Sequence, residues 1–528
     1  VVFSSLTFLT LFLPCVLLGY YLCFSPVSSP ARADAARQRA NFFLLMVSLF
    51  FYFWGEGSQI WILVSSCAGN FFIARWMVRR CSLRGKGAAA PGFECADGLA
   101  PGGGRTKSQK ALLAAAIVLN IGGLAYCKYG GFLVDNFARV FPFIRNLPSW
   151  GRVSLPLGIS FFTFQALSYV IDVYRGAVRP DKSLVNFSCY LTFFPQLVAG
   201  PIIRYHDVCR QLAERTFSRS QFASGVRRFV LGLSKKVLIA NAAAILADRA
   251  FDLAPQQLTV GAAWMGLLGY SIQIYFDFSG YSDMAIGLGR MFGFEFMENF
   301  NYPYIARSVH DFWRRWHISL STWFRDYLYR PLGGNRKGPG RTYLNLFAVF
   351  FLCGLWHGAS WTFVAWGLYH GIFLILERFF PRGWKVDGRA DERRRGLTGF
   401  CRHVYVLLMV MGGWVLFRAG SFEHAWGYYG ALFGSCQGSG AANVIWLYGR
   451  SWEVRMALAA GVLFSMPLIR IFRRWRDALR CVPAGKPGAG FILICAELGP
   501  VFILLGLLAL CFLPLSSGTY NPFIYFRF

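Results

Sequence analysis

Acidic residues are scarce in this chain of 528 residues: 25 Asp and Glu stand against 54 Lys and Arg, a formal charge of +29. In a soluble protein that excess would point to nucleic acid. Here the basic residues gather in loops between apolar runs, and neither a zinc-finger nor an RNA-binding signature is present. The imbalance therefore reads as the positive-inside bias of a membrane protein. Paired cysteines are missing too. None of the 14 cysteines forms a C-x-x-C unit, and most, such as Cys127, Cys353 and Cys511, lie inside apolar runs, as core residues do and disulfides or metal ligands do not. There is no Walker A loop: Gly232-Leu233-Ser234-Lys235-Lys236 lacks the spaced glycines, so ATP-driven transport is unsupported. No G-x-S-x-G elbow occurs either, so any serine hydrolase chemistry must come from a partner. Neither an internal repeat nor a soluble domain stands out.

Apolar sequence is abundant. The chain is 55% hydrophobic with a mean hydropathy of +0.43, and its apolar runs approach the roughly 20 residues a bilayer needs. The fold class is all-α and polytopic. Spans are expected at 6–24, 40–54, 58–76, 111–127, 155–174, 403–419, 452–469 and 491–515. No basic region precedes the first run, so it reads as a retained helix, although Ala31-Arg32-Ala33 resembles a cleavage site. Arg32, Arg37 and Arg39 follow the first span, and Arg75 to Lys110 supply eight basic residues after the third, which places both loops in the cytoplasm and the N-terminus outside. Residues 85–104, rich in Gly, Ala and Pro, read as a flexible connector. Pro142 and Pro148 mark a short outer segment, and the basic residues of 382–402 and 470–480 mark two further cytoplasmic loops.

Three stretches depart from plain spans. Residues 187–203 hold Pro195, Gly200 and Pro201, which a straight helix avoids, so a broken or re-entrant element is expected. Residues 210–236 are mixed and basic, as an interfacial amphipathic helix is. The run 264–294 carries Asp277 and Asp283 around Gly280. Six residues apart, they do not share a helix face; they read as caps, as partners for arginines of the following segment, or as groups lining a pathway. Asp172, near the end of its span, is expected to reach water.

The stretch 301–371 puts the most unusual residues in the most apolar setting. Its first half alternates aromatics with Arg, His and Asp, and its second is a nearly charge-free run interrupted by Trp356-His357-Gly358. An ionisable side chain at bilayer depth costs about 3 kcal/mol, so His357 should face protein or a water-filled cavity. The bland reading is a packed histidine bonded to a carbonyl. His317 follows Trp313-Arg314-Arg315-Trp316 on the basic face, forty residues earlier. No H-x-x-x-H spacing supports zinc. Neutral imidazole, with a pKa of about 6.5, can accept a hydroxyl proton, as acyl transfer from a thioester to an alcohol requires.

The segments FWRRWHISLSTWFRDYLYRPLGGNR and FFLCGLWHGASW, with SFFTFQALSYVIDVYRG, FPQLVAGPIIR and YFDFSGYSDMAIGLGRMFG upstream, resemble the membrane-bound O-acyltransferase family, and most closely its bacterial alginate O-acetylation branch. The resemblance runs in order from the start through Gly371. It implies one integral membrane domain over 1–528, a ring of about 11 transmembrane helices with a thinned centre and re-entrant and interfacial helices, its core motifs in 155–371 and C-terminal helices in 403–515. It also implies His357 as the catalytic histidine and His317 as a second required one. Arg314, Arg315, Arg325 and Asp326 match the motif and would orient helices or meet the donor's phosphates; a packed ion-pair network is the other reading. Trp313, Trp316, Trp356 and Trp361 would pack or anchor at interfaces. No bound cofactor or metal is implied. Acetyl-CoA is the implied donor, a polysaccharide the acceptor, SGNH-type periplasmic proteins the partners, and the bacterial inner membrane the location. D-alanyl transfer to teichoic acid, a proton-coupled transporter and a non-catalytic export scaffold remain as alternatives.

Overall fold

The computed structural model describes residues 3–24, 30–82, 105–143, 155–379, 397–436, 438, 443–468, 471, 474, 477–478, 489–518, 521 and 524. The connector 85–104, Pro148 and most of the basic loops 382–402 and 470–480 lie outside the described residues. Among the described residues all regular structure is helical, and five helices are long and apolar enough to cross a membrane: Arg32–Arg79, Lys107–Val140, Arg219–Asp252, Leu397–Arg418 and Ala496–Ser516. The first joins two of the expected spans through the single 3₁₀ turn Gly57–Gln59.

Packing divides the chain into two compact units. One comprises Val1–Val226 and Ala285–Met297. It holds α1 (Leu13–Cys23), α2 (Pro30–Glu56), α3 (Ile60–Ser82), α4 (Lys107–Leu124), α5 (Gly130–Val140), α6 (Ile159–Arg175), α7 (Leu184–Thr192), α8 (Phe194–Leu197) and α9 (Tyr205–Glu214). Its centre is α6, buried from Ile159 through Val170, and a phenylalanine cluster of Phe3, Phe8, Phe12, Phe51 and Phe194. Gly158 enters α6 at φ 74°, where a Cβ would lie 2.3 Å from the Leu197 carbonyl oxygen, so only glycine lets the two segments approach. The broken element expected at 187–203 is present: α7 stops at Thr192, Pro195 sits in the first turn of α8, and Gly200-Pro201 follows outside any helix. Protein groups satisfy the freed backbone, as a buried break requires. Phe194 N–H donates to Ser48 Oγ at 3.1 Å, and Tyr190 OH donates to the Ile203 carbonyl at 2.8 Å.

Asp172 does not reach water. It is buried and accepts from His206 Nδ1 at 2.8 Å, while His206 Nε2 lies 3.1 Å from Asp207. With a carboxylate at each ring nitrogen, first Asp172 and then Asp207, His206 is pushed up from 6.5 to about 9. Burial pushes Asp207 up, but His206 and Arg204 more than offset it and bring the carboxyl down to about 2.

The other unit comprises Arg227–Met284 and Glu298–Phe528. It holds α11 (Asn241–Asp252), α13 (Val309–Arg315), α14 (Ile318–Phe324), α15 (Gly338–His357), α16 (Trp361–Phe379), α17 (Leu397–Arg418), α18 (Phe422–Leu432), α19 (Asn443–Arg450), α20 (Trp452–Phe464) and α21 (Ala489–Ser516). Helices α10 (Arg219–Ser234) and α12 (Val260–Met291) contribute residues to both units. The surface helix expected over 210–236 is instead two elements, and the second, α10, opens one of the long apolar helices; its Arg228 is turned to Asp283, while Arg219 and Arg227 are exposed. Among the described residues, Asp277 and Asp283 are neither caps nor partners of later arginines. Both lie inside α12, where Asp277 pairs with Lys236 at 2.7 Å and Asp283 with Arg228 and Lys235, each at 2.7 Å. Gly280 does not break α12. A Cβ there would stand 2.8 Å from the Gly232 carbonyl oxygen, so the two glycines let α10 and α12 approach closely enough for these pairs to form.

Candidate active site

Both histidines singled out from sequence lie in the second unit. His317 occupies the joint between α13 and α14 in a left-handed conformation, φ 45° and ψ 55°. A branched or bulky residue pays for such a backbone, and strained positions of this kind concentrate at functional sites. Its side chain is fully buried. Nδ1 lies 3.1 Å from Asn299 Oδ1, the same oxygen that accepts from Ser319 N–H at 3.2 Å and Ser319 Oγ at 2.9 Å. The backbone donor of Ser319 fixes which end of the Asn299 amide faces the ring, and Asn299 Nδ2 donates to Ser282 Oγ at 3.0 Å. His317 Nδ1 therefore carries the hydrogen, and Nε2 carries the lone pair. That Nε2 has no hydrogen-bond partner among the described residues.

His357 ends α15 and is 4% exposed. Its ring stands edge-on to Trp356 at 4.9 Å, Trp366 at 4.9 Å and Phe417 at 5.2 Å. The hairpin of α15 and α16 is close because its glycines permit it. A Cβ on Gly367 would fall 2.2 Å from the Phe350 carbonyl oxygen, and one on Gly354 would fall 2.4 Å from that of Phe363. Trp356 joins the two histidines: its ring centroid is 5.9 Å from that of His317 and 4.9 Å from that of His357. Two buried imidazoles, one with a fixed tautomer and an available lone pair, share one aromatic wall. Such a site can take a proton from a hydroxyl and return it to a leaving group.

Known proteins compare as follows. The family model for the membrane-bound O-acyltransferase family matches residues 175–419. A protein of Azotobacter vinelandii named as a probable alginate O-acetylase, AlgI, is 40% identical over 552 residues, covering 100% of both chains. The peptidoglycan O-acetyltransferase of Helicobacter pylori is 32% identical over 451 residues, covering 80% of this chain and 78% of its own. The chain belongs to the membrane-bound O-acyltransferase family. The teichoic acid D-alanyltransferase of Bacillus subtilis is more distant, 28% identical over 307 residues, covering 54% of this chain and 75% of its own. The protein is thus a multi-pass membrane O-acyltransferase, with both buried histidines inside the matched segment.

The charged residues of the acyltransferase motif are held locally. Arg315 pairs with Asp311 at 2.9 Å and donates to the Asn301 carbonyl at 3.2 Å. Arg325 and Arg330 both bind Asp326 at 3.0 Å, and Arg314 is exposed on α13. Trp313, Trp316 and Trp356 are packed, whereas Trp361 is exposed. Sequence reasoning missed Asn299, Ser319 and Trp366. Asn299 stands 18 residues before His317 in an irregular segment, where no helical or strand period links the two. Trp366 carries a usable signal, since it lies on the second arm of the hairpin whose first arm ends in His357.

Proposed function

We propose that this acyltransferase passes an acetyl group across the bacterial inner membrane, from a cytoplasmic donor to a hydroxyl of an alginate-like exopolysaccharide, directly or through a periplasmic SGNH-type partner. Acetyl-CoA is the donor in this reading. Its thioester approaches from the cytoplasm, and the acceptor hydroxyl arrives from the other face. His357 takes the hydroxyl proton as the oxygen attacks the thioester carbonyl. The carbon–sulfur bond then breaks, the imidazolium returns the proton to the thiolate, and an acetyl ester and a free thiol leave the site. His317 assists through Nε2, which as a lone pair accepts and does not donate. Its part is therefore with the proton and not with a developing oxyanion. Arg314, Arg315 and Arg325 meet the donor's phosphates, with Asp326 orienting Arg325.

The observation that carries this reading is the pair of buried histidines that both pack against Trp356, one of them in a strained backbone conformation with its tautomer set by Asn299. The 40% identity to the alginate-type protein, against 28% to the D-alanyltransferase, favours acetyl over D-alanyl. The test is the purified chain in proteoliposomes with acetyl-labelled CoA and an alcohol acceptor. Label should reach the acceptor with wild type and fail to with His357→Ala. Label transferred only from a D-alanyl carrier would overturn the acetyl assignment, and undiminished transfer by His357→Ala would overturn the role of that histidine.

A further inference from the structure

The short helix that leads into His317 is held at its other end by a residue the proposed reaction does not use. Glu377, near the C-terminal end of α16, is 8% exposed. Its Oε1 accepts from the Val309 N–H at 2.6 Å and its Oε2 from the His310 N–H at 3.2 Å, the first two residues of α13. Ser308 Oγ accepts from the Asp311 N–H at 2.9 Å. The N–H groups of the first three helical residues, which no helix satisfies internally, are thus all met, two of them by α16. No cation pairs with Glu377 among the described residues, so its charge is met by those two N–H groups and the positive end of the α13 dipole. An amide in its place would offer one oxygen and turn its NH2 group against the second N–H.

Helix α13 has 7 residues, too few to hold a helix or a direction by itself. Its place is set by what it touches, and α16 touches it at two levels. Glu377 grips its start, and His370 stacks on Phe312 at 6.3 Å and stands edge-on to Trp313 at 5.3 Å. The same buried face of α16 begins with Trp366, whose ring is edge-on to His357 at 4.9 Å. One helix therefore carries both a wall of the His357 pocket and the grip on the helix that ends at His317.

We propose that Glu377 is a positioning residue for acyl transfer: by clamping the start of α13 to α16, it sets the place of His317 relative to His357. The positioning role rests on the acyl-transfer reading; the clamp itself does not.

Two variants of the full chain loosen the clamp from opposite sides. Glu377→Gln keeps the side-chain shape with one acceptor fewer. Val309→Pro removes the N–H that lies 2.6 Å from Oε1 and leaves the carboxylate in place. Proline is favoured at the first position of a helix, and Ser308, at φ −153° and ψ 156°, already has the extended backbone that precedes it. In both variants, hydrogen exchange of the α13 amides should quicken about tenfold or more. Well below the unfolding temperature, kcat for acetyl transfer should fall about tenfold or more at unchanged KM, as it does when a catalytic group is displaced. Wild-type exchange in α13 of both variants overturns the clamp. Faster exchange with wild-type kcat per folded molecule overturns the positioning role, since a contact that only stabilises lowers the unfolding temperature and leaves the rate alone. A raised KM at wild-type kcat overturns it too, because that places Glu377 in substrate binding. The exchange measurement needs no acyl donor: a wild-type chain that transfers no acetyl group overturns the proposed function, while faster α13 exchange in the variants still supports the clamp.

Discussion

Asn299→Ala strikes the hydrogen-bond set that holds His317. Asn299 is 1% exposed, and its Oδ1 accepts from His317 Nδ1, Ser319 N and Ser319 Oγ, while its Nδ2 donates to Ser282 Oγ. Ser282 Oγ loses only a donor, and the Ser319 hydroxyl can rotate toward another acceptor. The imidazole N–H and the backbone N–H of Ser319 cannot, and each stranded buried donor costs about 1–3 kcal/mol, so the substitution should destabilise by about 2–6 kcal/mol. It also releases the left-handed His317 from the contact that sets its tautomer, and acyl transfer should fall about tenfold or more. Asn299→Asp keeps an oxygen at the same place and should lose less on both counts. The assay is thermal denaturation of the purified chains in detergent beside acetyl-transfer rates at matched protein. If Asn299→Ala unfolds at the wild-type temperature and transfers at the wild-type rate, the tautomer argument is wrong.

Other consequences follow from the packing. Gly367→Ala places a Cβ 2.2 Å from the Phe350 carbonyl oxygen and should force α15 and α16 apart; overpacking of this kind costs about 1–3 kcal/mol, read as lower membrane abundance and a lower unfolding temperature. Lys236→Met strands Asp277, since both partners are only 2% exposed. A broken buried pair costs about 3–5 kcal/mol, and Lys236→Met with Asp277→Asn should recover much of the lost abundance. For His206 the folded pKa is raised from 6.5 to about 9. Its stabilisation is therefore complete below 6.5 and is lost as pH rises through about 9. His206→Ala should flatten the alkaline decline in unfolding temperature, and an unchanged decline would show that the Asp172 and Asp207 contacts do not contribute.

Much of this architecture was legible as local pattern. The apolar runs, the break at Pro195 and Gly200-Pro201, and the hairpin interrupted by His357 follow from chemistry that neighbouring residues reveal. The order of the motifs pointed to the acyltransferase family. What stayed hidden depends on contacts distant in sequence. Asp172 looked free to reach water because its partner, His206, is 34 residues away. Asp277 and Asp283 were readable as caps, as partners of later arginines or as pathway groups because their cations precede them in sequence, behind the Gly232–Gly280 approach. Residues 210–236 looked like a surface helix because their cations were counted without the α12 carboxylates that Arg228, Lys235 and Lys236 meet. At the site, the two histidines were readable from type and setting, whereas the Asn299 contact and the Trp356 wall required the fold.

Acetyl ester on extracellular polysaccharide, compared between cells carrying the wild-type chain and cells carrying His357→Ala at matched membrane levels, tests the central claim most directly. The proposed reaction predicts that the ester disappears while polymer export continues. Ester at the wild-type level from the His357→Ala cells would contradict it.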